Sequence, residues 1–562
     1  MSASSKKKLR KELEAAALTE KQLKQQADAK KLKIQSIAFI TAMILVACIA
    51  IGTIAYTNIN KTGIFQRNTV AVTINDHKLT SVDLGYYYID AINKAYSDWY
   101  ASYGQSTLYA LQMMMGLDLS APLDSQPYPD DSGDTWADFF ISLAIQNAKG
   151  TYAMYDAAVA EGFEMSEEER AIHEDNISLF QDYADLFYGG DVDKYVAASY
   201  GVGADLESYR AYVNVVSTAN AYQQRYYDAL EYDEAAIREY ETGRYDDYTG
   251  YTYAYKYISA NDYIHNGTEG ADHDHASHTA EEIQAALDQA KLAAESVLSA
   301  TSVEEFDKMI SELEIYAVAE GETANAVISE KANDVLRPSI LSALRDWVSA
   351  AERKEGDTVA LPYIVETTAE DGTTTETTDG YFAVFYQSKD EHLDYLANVH
   401  RILFKFEGGT SGADGTVTYT VEEKNAAKVK AEALLEQWNQ GEKTAASFAA
   451  LAEEHSKETS VESGLYEDIT PASSHEEYFL KWAEDAQRQA GDIEVVETDA
   501  GYAVLYYVGD SEITYRDYLL TLDLKGDAYD KWVASLEENV TVVDGNTRHM
   551  HRDYIPYNTT SY

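Results

Sequence analysis

A single cysteine, Cys48, in 562 residues excludes an intrachain disulfide and any cysteine-rich metal site, so the fold must hold by packing. Positive charge is short as well: 44 Lys and Arg stand against 96 Asp and Glu, a formal net charge of −52. A phosphate backbone needs a basic face and would be repelled by this chain, which argues against nucleic acid as a partner. At this length one core is too few, and about three to four domains are expected.

Charge of either sign is missing locally. Ile34 to Asn60 contains no charged residue, and Ile37 to Tyr56 is a run of about 20 mostly apolar residues, long enough to cross a hydrocarbon core. Residues 1–34 before it hold ten Lys or Arg against four Asp or Glu. The positive-inside bias then sets a single-pass topology in the cell membrane: 1–34 a basic cytoplasmic segment, 35–57 a transmembrane anchor, and the bulk of the chain extracytoplasmic. Two alternatives stay open, a cleavable signal peptide and a lipoprotein signal in which Leu45-Val46-Ala47-Cys48 is the lipobox.

Beyond Asn60, residues 69–84 read as a strand, an Asn75-Asp76 turn, a second strand and a helix capped by Thr80 or Ser81. Residues 84–116 and 136–246 show helical spacing, broken by Pro122, Pro127 and Pro129, with a stop at Gly162 and a capping box from Ser166 to Glu169. From Thr249 the pattern turns to alternation, and Tyr251, Tyr253, Tyr255 and Tyr257 fall on one face of a strand. Helices are expected over 280–300, 302–313 and 340–354, a polar hairpin loop over 367–378 and a closing strand over 381–386. The order then recurs over 399–406, 422–440, 447–455, 476–489 and 502–508. Trp347, Arg353, Gly356 and Asp357 return at identical spacing as Trp482, Arg488, Gly491 and Asp492, and Phe306 returns as Phe448. Such self-similarity predicts two copies of one module. Residues 528–542 read as an amphipathic helix with a β-prone end.

The later copy, with Val399-His400-Arg401-Ile402-Leu403-Phe404 on its first strand and Gly501-Tyr502 on its last, resembles the parvulin-type peptidyl-prolyl isomerases. Residues 69–84 resemble the opening of the SurA and PrsA type foldases. The resemblance implies an α+β chain: the N-terminal transmembrane helix, a mostly helical SurA-like chaperone module over 66–248, a degenerate parvulin-like module over 249–388, a second parvulin-like module over 396–510, and a C-terminal helix and tail over 511–562. It implies a membrane-anchored extracytoplasmic foldase that binds unfolded or partly folded exported polypeptides. The alternative is a non-catalytic chaperone or envelope scaffold that keeps the parvulin fold only for binding.

Rotation about a peptide bond must overcome about 18–20 kcal/mol of amide resonance, and an apolar slot with polar groups around the carbonyl can favour the twisted state without a cofactor or metal. Carried over residue by residue, the resemblance makes His400 the first-strand catalytic histidine, puts Glu458 at the loop position held by Cys or Asp, and places Phe479, Trp482 and Tyr502 against the substrate. Ala503 stands where the family has a second histidine, and Tyr255 and Phe382 stand at the two histidine positions of the first module. The cluster His265, His273, His275 and His278 lacks apolar neighbours to fix a metal geometry and reads as a solvated insert. The 46 tyrosines fit either promiscuous contact with unfolded chains or a plain compositional bias.

Overall fold

Capping and alternation sort the chain into elements that gather in two compact units, residues 1–231 with 527–562 and residues 232–526. The computed structural model describes residues 6–8, 61–130, 132–264, 278–316, 327–368, 374–411, 416–456 and 464–556.

In the first unit the helix Ile64–Asn68 leads into strands Val70–Ile74 and His77–Thr80, turned at Asn75, whose φ of +50° suits an Asx residue. The strand Val542–Asp544 from the other end of the chain pairs antiparallel with Val70–Ile74, so the three-stranded sheet is built from both ends. Thr80 caps the helix Ser81–Tyr103 in a reciprocal box with Asp83, and the same device starts Trp136–Ala160 at Thr135 and Glu167–Phe187 at Ser166. Tyr87, Tyr88, Trp136 and Phe140 sit in the core that these helices enclose with the sheet.

In the second unit the strands β1 (Gly250–Ser259), β2 (Glu330–Leu336), β3 (Thr358–Thr368) and β4 (Thr374–Asp390) form a sheet of order β2-β1-β4-β3. Strands β5 (Tyr395–Lys405), β6 (Leu465–Ile469), β7 (Ile493–Glu497) and β8 (Gly501–Thr514) form a second sheet of order β6-β5-β8-β7. Both are antiparallel throughout, and the two orders coincide. Each sheet is covered on both faces. Helices α1 (Ala280–Ser296) and α2 (Val303–Ser311) pack on Ala254, Ile258, Ala383 and Phe385 of the first, while α3 (Ser342–Val348) packs on Tyr251, Tyr253, Phe382 and Val384. In the second sheet, α4 (Val421–Gln440) and α5 (Ala445–His455) pack on Ile402, Val504 and Tyr506, and α6 (Glu477–Ala483) packs on Val399, Leu403, Ala503 and Leu505. The helix α7 (Tyr515–Glu537) follows β8.

The side chains that announced the repeat hold corresponding turns. The Arg353 guanidinium lies 4.6 Å over the Trp347 ring and that of Arg488 lies 4.1 Å over Trp482. Gly356 and Gly491, at φ +86° and +98°, turn the chain into β3 and β7. Gly380 and Gly501 face the backbone oxygens of Ile258 and Phe404 on the neighbouring strand so closely that a Cβ has no room.

Three sequence expectations change. The first is the fold class with its transmembrane helix over 35–57, and with it the single-pass placement in the membrane. Among the described residues no helix is long and apolar enough to cross a membrane. The long helix Trp136–Ala160 carries Asp138, Lys149 and Asp156 along its length, and residues 35–57 lie outside the described residues. What the structure shows is a mixed α/β chain, a helical region followed by two sheet modules. Second, the stretch 367–378 contains the end of β3 and the start of β4, because Thr-rich sequence favours extended chain even when polar. Third, the helices expected over 340–354 and 476–489 stop at Val348 and Ala483, where the Arg353-Gly356-Asp357 and Arg488-Gly491-Asp492 turns take over.

Candidate active site

A strand shows successive side chains to opposite faces, so neighbours in β5 answer to different helices. His400, 4 % exposed, points to the α4–α5 face, where its ring lies 5.7 Å from Phe448 and 6.4 Å from Tyr506. Tyr502 belongs to that face too, stacked edge-on against Phe406 with its hydroxyl donating to Glu497 at 2.7 Å. Phe479 and Trp482 rise from α6 on the opposite face. The sheet therefore separates the residues that the sequence grouped: His400 with Tyr502 on one side, Phe479 with Trp482 on the other. Glu458 lies outside the described residues.

The cation on the α6 face is Arg401, only 6 % exposed. Its guanidinium sits 4.9 Å from the Tyr466 ring centre and 5.0 Å from that of Phe479. It donates to the Tyr466 hydroxyl at 2.9 Å and to the Glu476 carboxylate at 2.7 Å. Glu476 is half-exposed and stands at the start of α6. Burial pushes its carboxyl up, but hydrogen bonds from its own backbone and from Arg401, together with the Arg401 charge, outweigh that and hold it below the usual carboxylate range. On the same helix, the Trp482 indole N–H donates to Glu494 at 2.7 Å.

Strand pairing fixes the correspondence with the first module. Tyr255 pairs with Val384 as Arg401 pairs with Leu505, and Tyr257 pairs with Phe382 as Leu403 pairs with Ala503. Tyr255 thus occupies the place of Arg401, and Ala254 that of His400. Around Tyr255 the first module has rings where the second has an ion pair: Tyr257 and Phe382 lie 5.1 Å apart, and Tyr363 lies 5.5 Å from Phe382. Burial and the nearby Glu330 carboxylate push the Tyr255 hydroxyl up to about 12.

Residues 402–509 match the rotamase family model, the PPIC-type PPIase domain.

The match covers about one fifth of the chain, from the residue after Arg401 to the middle of β8. No curated protein matches the chain. The rotamase module is thus the β5–β8 sheet with α4, α5 and α6, and its α6 face carries Arg401, Tyr466, Glu476 and Phe479. Sequence reasoning passed over Arg401 because one residue of register moves a side chain to the other face of a sheet. The repeat aligns Gly380 with Gly501, but it takes the strand pairing of the two sheets to match Tyr255 with Arg401.

Chemically, the α6 face offers a fixed cation over an aromatic floor. When an X-Pro amide twists, resonance is lost and the nitrogen lone pair becomes a localised acceptor. A positioned N–H donor beside an apolar slot stabilises that state more than the planar one. Phe479 has no exposed surface in the structure, its ring lying under Arg401 and meeting Tyr466 and His475 edge-on, so access to it requires side chains of this face to move. Among the described residues no group of His, Cys, Asp and Glu is arranged to hold a metal ion, and the insert residues His265, His273 and His275 lie outside them.

Proposed function

We propose that this chain is a foldase that binds unfolded or partly folded polypeptides and catalyses peptidyl-prolyl isomerisation at its rotamase module. The observation that carries the reading is the family match over residues 402–509, which falls on a folded sheet module with both helical layers in place. Arg401 is the proposed donor to the twisted amide, Phe479 and Trp482 the apolar wall, and Glu476 the group that yields to the client. His400 and Tyr502 support the opposite face.

A resemblance to SurA and PrsA type foldases remains part of the proposal. It is supported by the sheet that joins residues 70–74 to residues 542–544, and by the apolar surface of the first unit. There Ile172, Leu179 and Leu186 are exposed at seven-residue spacing on one helix. Nearby, Tyr183, Phe187, Tyr195, Tyr200 and Tyr554 line a cavity of about 580 Å³. Rings of this kind give apolar contact area with a hydrogen-bonding tip, which suits clients of varied sequence.

The test is prolyl cis/trans exchange in a short Ala-Pro peptide, followed by NMR with the full chain. Acceleration that is lost in Arg401→Met and retained in His400→Ala supports the assignment. Loss in His400→Ala with retention in Arg401→Met returns the role to the histidine. A second reading, a polypeptide-binding module without catalysis, is favoured by the complete burial of Phe479 beneath Arg401. Suppression of client aggregation with no acceleration of exchange selects it.

A further inference from the structure

The linker between the two sheet modules, from the end of β4 to the start of β5, is tied down by a buried histidine. His392 is 4 % exposed and has a φ of +55°, a left-handed conformation that a non-glycine residue keeps only when its surroundings hold it there. Its Nδ1 lies 3.0 Å from the Tyr248 carbonyl oxygen and its Nε2 lies 2.8 Å from an Asp334 carboxylate oxygen. A carbonyl and a carboxylate both accept, so both ring nitrogens must carry a proton to satisfy them, and that species is the imidazolium.

The surroundings are charged on every side. Asp334 faces the ring from β2, and Asp390 on the linker accepts from the His392 backbone N–H at 2.7 Å. From α7 the Tyr515 ring meets the imidazole edge-on at 4.8 Å, and the Arg516 backbone N–H donates to the His392 carbonyl at 2.8 Å. The Arg516 guanidinium shares the Tyr248 carbonyl with His392, donates to the Glu391 carbonyl at 3.0 Å and is paired with Glu241. A cleft of about 380 Å³ opens beside the ring, lined in part by Asp334, His392, Asp394, Glu484, Arg488 and Tyr515. Burial alone lowers the affinity of His392 for its proton. The Asp334 hydrogen bond and charge, with Asp390 and the Tyr248 carbonyl behind them, more than reverse this and raise it above the ordinary histidine value.

We propose that His392 is a pH-operated latch between the two sheet modules: protonated, it joins the linker to β2 and to the turn at Tyr248, and deprotonated, it gives up one of the two bonds and frees the linker to move. The latch does not depend on whether the rotamase module is catalytic. Because the folded-state value is raised, the latch contributes fully below the ordinary histidine range near 6.5 and is lost as pH rises through the folded value.

The test uses the full chain with ¹³Cε1-labelled histidine, the His392 signal being identified by its absence in His392→Asn. Asparagine tolerates positive φ and carries no charge at any pH. The expected result is a His392 titration above 6.5, with a several-fold loss of hydrogen-exchange protection in peptides covering 388–396 and 512–518 as pH passes through that midpoint. His392→Asn shows no such step after correction for intrinsic exchange. Asp334→Asn, which retains the ring, shifts the midpoint down. A His392 midpoint at or below the ordinary value, or the same protection step in His392→Asn, overturns the proposal. Should His392→Asn fail to fold, an unshifted midpoint in Asp334→Asn overturns it equally.

Discussion

The two sheet modules share strand order, helix placement and a Trp-Arg-Gly-Asp turn, yet at one equivalent point the first has Tyr255 and the second Arg401. In the first, the face around that point is closed by contacts among Tyr255, Tyr257, Tyr363 and Phe382. In the second, a cation held by Glu476 lies over Phe479. One scaffold thus supports either an aromatic cluster or an ion pair at the same point of the sheet, because strand order, the helix layers on both faces and the shared turn carry the fold. The chemistry of the face is free to differ.

The comparison breaks most sharply in those layers. Phe306 and Phe448, both without exposed surface, fill corresponding positions under the α1–α2 and α4–α5 faces. Replacing either by alanine should cost about 3–5 kcal/mol through lost burial and an unfilled cavity. Hydrogen exchange resolved by module, rather than a single melting curve, is the measurement, because a chain of several cores does not unfold in one step. Each variant should lose protection in its own sheet. Equal loss in both sheets would show that the modules fold as one body.

The next largest difference lies in Arg401 itself. Arg401→Met removes charge-assisted bonds to Glu476 and Tyr466 and should destabilise the second module by about 1.5–3 kcal/mol. The cost stays below that of a fully buried ion pair because Glu476 is half-exposed and regains water. Tyr255→Phe, at the equivalent point, should change the first module by less than about 1 kcal/mol. Denaturant midpoints read through exchange of the two sheets decide this, and equal effects would remove the distinction drawn between the faces.

Much of this architecture was legible in the chain, for reasons that differ by residue. The repeat could be read because Trp347 and Trp482, with their arginines, glycines and aspartates, serve a turn whose geometry demands them. The strand-turn-strand start and its Thr80 cap could be read because capping is local chemistry. Strands β2, β3, β6 and β7 were missed for different reasons: all four are edge strands, β2 and β6 pair with strands far away in the chain, β7 is only five residues long, β3 carries a proline, and Thr374–Thr378, which pairs with the end of β3, has no apolar face to announce it. The proposed site was half legible. Phe479 and Trp482 fell on the face that carries Arg401, while His400 sits one residue away and on the other side of the sheet. Only pairing partners reveal that parity.

The turn that both modules share offers a finer contrast. Arg488 stacks on Trp482 and also donates to Glu494 at 3.2 Å and to the Trp482 carbonyl at 3.1 Å, whereas Arg353 reaches Glu352 at 3.2 Å and Asp357 at 3.5 Å. Arg488→Ala should therefore cost about 1–2 kcal/mol and Arg353→Ala about 0.5–1 kcal/mol, the stacking being common to both. Hydrogen exchange resolved by sheet reports each loss, and a larger effect at Arg353 would mean that the second module does not rely on the shorter contacts of Arg488.

The smallest expected effect is the one that isolates the ion pair from the rest of the face. Glu476 has its carboxyl lowered in the folded state, so its pairing contributes stability above the unfolded carboxylate value near 4.5 and loses it as pH falls through the lower, folded value. With half its surface in water, the contribution should be below about 1 kcal/mol. The first module has no counterpart, since Tyr255 at the same point stays protonated throughout that range. Acidification from pH 6 to pH 3.5 should therefore weaken the second sheet less in Glu476→Gln than in the unsubstituted chain, while the first sheet, whose own lowered carboxylate Asp307 is paired with Lys331, responds alike in both. Equal weakening of the second sheet in the two proteins would place its acid sensitivity in other carboxylates of the module and leave Arg401 held by its aromatic neighbours alone.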